Sequence, residues 1–170
     1  MRAEATAHCA APADAVWTAL SDVESWPSWT SAMVRVELEE RFEVGGRVLV
    51  VQPATRPVVW TVDEIVPGVS FRWHSRGPGF RMTAEYSLAP AAAGTGVSLS
   101  GRSTALAGSV TDVSMSGRSI PPAGSGTDVL MSVRVAGPMA WAVGLIAGRG
   151  MRRHLAEQAD ALAARCAAPA

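Results

Sequence analysis

The sequence predicts an α+β fold: a curved antiparallel sheet wrapped around one long C-terminal helix, with two short helices after the first strand. Three observations carry this expectation. Apolar residues recur at helical spacing near the start of the chain and again from residue 139 to about 166. Between residues 32 and 88 the period is two instead, and one face is apolar. Turn pairs such as Gly45-Gly46 and Pro67-Gly68 join these alternating runs, as in an antiparallel meander.

Residues 3–10 alternate weakly and read as an edge strand. In APADAVWTAL, Pro12 suits a first helical position, and Asp14 puts negative charge in the first turn, where the helix dipole favours it. Val16, Trp17, Leu20 and Val23 share one face. Ser21 followed by Glu24 fits a capping box, which restarts a second short helix, and Pro27 ends it. Val34, Val36 and Leu38 then alternate with Arg35, Glu37 and Glu39, the pattern of a half-buried strand. Further strands are expected over 48–51 and 58–66, around Phe71, Trp73 and Ser75, and through Met82, Ala84, Tyr86 and Leu88. After Gly137-Pro138 one long helix carries the stripe Trp141, Gly144, Gly148, Met151, Leu155, Ala159 and Leu162. A sheet with one apolar face must bury it, and only this helix is long enough to cover it.

The 170 residues suit a single domain spanning 1–170. Hydrophobic content of 48% against 18% charged residues excludes a disordered chain. Fifteen basic residues balance fifteen acidic ones, so no global field draws nucleic acid or an anionic membrane. All the basic residues are Arg. The absence of Lys removes Schiff-base, P-loop and Ser-x-x-Lys chemistry. No His, Cys and carboxylate cluster has zinc-like spacing, and neither a G-x-S-x-G elbow nor a dinucleotide loop is present, so no metal or other cofactor is expected. Cys9 and Cys166, at opposite ends, do not suggest a disulfide framework. MRAEATAHC lacks an apolar signal core, and the apolar run 139–147 is far short of the ~20 residues of a membrane span. A cytoplasmic protein without membrane insertion is expected.

Residues 97–135 say nearly the same thing three times at a spacing of sixteen. Val97, Val113 and Val129 open the copies, Leu99, Met115 and Met131 follow, and Arg102, Arg118 and Arg134 come next. In a meander each added strand reverses chain direction, so two extra units restore the direction that feeds the final helix. Residues 96–127 are therefore read as a duplicated hairpin insertion, and the copy from Asp128 as the core strand. Gly101 and Gly117 stand where that copy has Val133, and glycine weakens a strand. The insertion is either simply tolerated or an added edge through which a homodimer pairs.

Three stretches, APADAVWTALSDVESWPSW, VWTVDEIVPGVSFRW and GTDVLMSVRVAGP followed by the long helix, resemble the START-related helix-grip (SRPBCC) superfamily. Within it, the chain is most similar to polyketide cyclase/dehydrase-like proteins. The resemblance implies a hydrophobic cavity between sheet and helix that holds a lipid, a polyketide or another small apolar molecule. Carriers, sensors and cyclases share this fold, so the fold alone does not select among them.

Candidate ligand contacts follow from which faces turn inward. Trp60, Trp73 and Trp141 fall on inward faces, and Trp26 flanks the Pro27 turn near an expected cavity mouth. Aromatic surfaces suit planar ligands, and Met82 and Met131 adapt to irregular ones. On the helix, Gly144 and Gly148, with Leu145, either permit close packing or leave room for ligand. Trp17 and Trp29 read as structural. Tyr86 is the strongest polar candidate, because it shares a face with Met82, Ala84 and Leu88 and its buried hydroxyl requires a partner. Glu64 is in register with Trp60 and Val62; pointing inward it would be a general base of raised pKa, and near its strand end it would be an ordinary solvated carboxylate. His74 and His154 read as solvent-facing, as do Arg149, Arg152 and Arg153. With no convincing acid–base pair, a carrier or sensor is favoured over an aromatase/cyclase or dehydratase; an interaction module working through the extra hairpin is a third reading.

Overall fold

Seven antiparallel strands form one sheet in the computed structural model, which describes residues 1–91 and 126–167. In chain order they are β1 (Arg2–Cys9), β2 (Arg35–Leu38), β3 (Arg47–Val51), β4 (Val58–Val66), β5 (Ser70–Gly77), β6 (Phe80–Pro90) and β7 (Thr127–Ala136). Their order across the sheet is β1-β7-β6-β5-β4-β3-β2. Residues 2–9 thus form an edge strand, as their weak alternation suggests, and pair with the last strand of the meander. Helix α1 (Ala13–Ser21) and a 3-10 helix (Val23–Ser28) follow β1, and α2 (Ala140–Ala167) runs back across β1 and β7. The sheet curls round this helix, which is the helix-grip architecture.

The third copy of the repeat is β7, beginning at Thr127. It pairs directly with β6, placing Met131 opposite Tyr86 and Thr127 opposite Pro90. Just beyond, the Ala91 N–H donates to the Gly126 carbonyl at 2.9 Å. The first two copies, and the dimer edge they would supply, lie outside the described residues.

Two local expectations are corrected. Pro12 is the N-cap of α1 and not its first helical residue. No capping box forms at Ser21: Glu24 Oε1 instead accepts from the Leu38 N–H at 3.1 Å, tying the 3-10 helix to β2. The turn into α2 is set by Gly137. Its φ of +113° is costly for other residues, and a Cβ there would meet the Gly79 carbonyl oxygen at 2.6 Å.

The core lies between sheet and helices. Trp26, Phe71, Trp73 and Tyr86 pack as one aromatic cluster, with Phe71 stacked on Tyr86 at 4.7 Å and Trp26 edge-on to Trp73 at 5.6 Å. Leu155, Ala159 and Leu162 bring α2 down onto Ala3, Ala7, Val129 and Met131. The two cysteines meet here. Burial, and next a hydrogen bond with Cys166, push the Cys9 thiol from 9.0 up to about 12; both are free thiols.

Candidate functional site

The sheet curves away from α2 at one flank of the helix and leaves a cavity of about 590 Å³ there. Inward positions of the strands form one wall: Val50, Val58, Trp60, Trp73, Met82 and Tyr86. These residues alternate along their strands, so every second side chain reaches the same face. Val143, Ala147, Met151, His154 and Gln158 form the opposite wall. Gln52, Thr55 and Arg56, in the turn between β3 and β4, stand at the rim. The indoles of Trp60 and Trp73 lie 5.5 Å apart and inclined by 33°, with Trp73 only 2% exposed.

The floor is polar at one point. The Tyr86 hydroxyl donates to Gln158 Oε1 at 3.2 Å. Burial holds the phenol well above its ordinary pKa, against a smaller opposing effect of that hydrogen bond, so it stays protonated at neutral pH. Gln158 is 2% exposed and its Nε2 has no partner among the described residues. His154 lies one helical turn earlier; its Nδ1 is 3.7 Å from Glu157 Oε2, too far for a hydrogen bond. On the outer face of the sheet a shallow hollow of about 510 Å³ is lined by Arg2, Arg72, Arg81 and Arg134 with Asp63 and Glu85. Arg72 pairs with Glu64 and Arg81 with Asp63, which marks this as the solvated side. Among the described residues no group of three His, Cys, Asp or Glu side chains could hold a metal. No helix among them is long and apolar enough to cross a membrane.

A family profile described as polyketide cyclase / dehydrase and lipid transport matches residues 1–118. The chain belongs to this family. No curated protein matches the sequence significantly. Solved structures of similar fold include a protein of Thermus thermophilus, at TM-score 0.65 and 15% identity, covering 98% of this chain and 97% of that one. A START superfamily protein from Mycobacterium smegmatis matches at TM-score 0.56 and 17% identity, covering 97% and 96%. The di-domain ARO/CYC BexL from the BE-7585A biosynthetic pathway matches at TM-score 0.59 and 16% identity; the match covers 96% of this chain and 45% of BexL. At such identities the likeness is one of fold.

Within this polyketide cyclase/dehydrase family member, Trp60, Trp73, Met82 and Tyr86 of the candidates line the cavity, and several others do not. Trp141 and Leu145 are 71% and 80% exposed. Met1 covers Gly144 and Gly148 with its side chain, so of the two readings of these glycines the structure has close packing. Trp26 is fully buried in the core and not at a mouth, its Nε1–H donating to the Leu20 carbonyl at 3.2 Å. Met131 is fully buried behind the cavity wall. Glu64 is exposed and bonds Arg72 at 2.8 Å. A bulge between Val62 and Glu64 reverses the alternation, sending Glu64 outward and Ile65 to the core.

His154 and Gln158 are the functional candidates that the sequence pattern hides. Only the C-terminal part of the stripe predicted on α2, Leu155, Ala159 and Leu162, packs into the core beside β1 and β7, while Met151 and Leu155 also border the cavity. The cavity lies beside it, on a flank about 100° round the helix. A polar residue on that flank looks solvent-facing when only the stripe is counted. Gln158 carried one usable signal: it sits between Leu155 and Leu162, next to the stripe's edge. His74 is not fully solvated either, since its Nδ1 lies 2.7 Å from Asp63 Oδ1 on the outer face.

Proposed function

We propose that the protein binds a hydrophobic small molecule in this cavity and acts as its carrier or sensor. The observation that carries this reading is the space itself: about 590 Å³ between apolar and aromatic walls, within the roughly 300–1,000 Å³ usual for small-molecule sites. The family's description, which joins polyketide chemistry with lipid transport, supports an apolar ligand of that kind. Native mass spectrometry of the purified chain is expected to show a small apolar molecule retained, or a naphthalene-sized probe taken up one to one. A protein that carries nothing and takes up no probe overturns the reading.

A second reading, a polyketide aromatase/cyclase or dehydratase, is favoured by one observation. Tyr86 and His154 both line the cavity, a phenol and an imidazole of the side-chain types that enolisation employs. Incubation with a poly-β-ketone mimic tests it. A product spectrum that differs from the uncatalysed one, and reverts in His154→Ala, supports catalysis; an unchanged spectrum leaves binding alone.

A further inference from the structure

Buried polar atoms are normally paired, and leaving one unpaired is costly. Among the described residues four buried side-chain atoms lack a partner, and three belong to residues that line the cavity: Trp73 Nε1, His154 Nδ1 and Gln158 Nε2. Their gathering round one space is the informative point. Tyr86 commits the carbonyl end of Gln158, because its hydroxyl donates there at 3.2 Å. The amide NH2 is thereby left as a donor without an acceptor. The Trp73 indole N–H is also a donor and can never accept.

We propose that Gln158, oriented by Tyr86 and flanked by His154 and Trp73, selects a flat apolar ligand bearing a carbonyl oxygen over a hydrocarbon of the same shape. This rests on the binding role proposed above. A carbonyl is an acceptor only, which is what unpaired N–H donors require. A hydrocarbon entering the same space leaves those donors unpaired and displaces any water that had met them. Sites built to hydrogen-bond a ligand group reject the analogue that lacks it far more strongly than apolar pockets reject an extra methylene. The Trp60 ring, half-buried in the cavity wall, supplies an aromatic face for a flat ligand, and His154, about 6 Å along the helix axis from Gln158, supplies a second polar point for a more oxygenated one.

Two probes of matched outline separate the possibilities: 2-acetylnaphthalene, a ketone, and 2-isopropenylnaphthalene, in which the oxygen is a CH2 group. Both are titrated into the full-length chain by tryptophan fluorescence and calorimetry. The ketone is expected to bind at least about ten-fold more tightly, the equivalent of 1.4 kcal/mol. Gln158→Met, of similar volume, is expected to lose that preference, because it removes the donor that the ketone satisfies and the hydrocarbon leaves unpaired. Equal binding of both probes to the wild-type chain overturns the selection and leaves the binding role standing. A preference that persists in folded Gln158→Met overturns the role of Gln158. Binding of neither probe overturns the cavity's proposed function and the selection with it. The wild-type comparison needs no variant, and thermal melts establish that Gln158→Met is folded.

Discussion

The Tyr86 hydroxyl and the Cys9 thiol are held neutral by the same cause, removal from water. Tyr86→Phe strips the partner from Gln158 Oε1 without opening a large space, and is expected to cost about 1–3 kcal/mol, read from urea midpoints. Cys9 gives a pH signature whose sign follows from its shift. In the unfolded chain the thiol ionises near 9.0, and in the fold only near 12. Between these values unfolding releases a proton, so the contribution is fully present below pH 9 and fades as pH rises towards 12. Tyr86, shifted in the same direction, adds to the loss. Urea midpoints are expected to fall steadily from about pH 9 to about pH 11, and less steeply in Cys9→Ala; a flat profile would contradict the burial of both groups.

Elements were legible where one periodicity governed the whole run and were misread where a local event broke it. Strand β4 was placed to its last residue, since nine residues of alternation outweigh one irregularity, yet the bulge inside it sent Glu64 to the opposite face. The sequence did carry its mark, since the apolar positions step by two from Trp60 to Val62 and then by three to Ile65. Helix α2 was likewise placed, and its stripe did find the sheet. Its 28 residues, however, span about 42 Å, and on its first turns Trp141, Leu145 and Ile146 are largely exposed. The exposed end gives a clean expectation. Trp141→Ser should change stability by no more than about 0.5 kcal/mol by thermal melt, a loss that a buried tryptophan would far exceed. Gly137→Ala is the contrasting case at the start of the same helix. With φ at +113° and the Gly79 oxygen in the way, it should cost about 1–3 kcal/mol by calorimetry.

Across the whole molecule, the helix-grip fold was legible because strand pattern, turn pairs and a long terminal helix all agreed, and the polyketide cyclase/dehydrase family because three stretches of the sequence resemble it. The cavity was legible only in part. Its sheet wall follows from alternation, whereas its helix wall depends on how α2 is rotated over the sheet, a tertiary choice set by Met1, Leu155 and Leu162 together. The parity argument about the repeat leads to a test at this scale. Since β6 and β7 pair directly up to Pro90 and Thr127, replacing residues 92–125 with an Asn-Gly turn should leave a cooperatively folding chain, checked by circular dichroism. A chain that no longer folds would show that the repeat belongs to the core.

The hydrogen bond between Ala91 and Gly126 also makes an engineering junction. A guest protein whose own termini lie close together, such as a circularly permuted fluorescent protein, would be accepted there with little distortion of its host. Strand β6 runs from that junction to Tyr86 and Met82, so the guest's brightness would report on what occupies the space beneath.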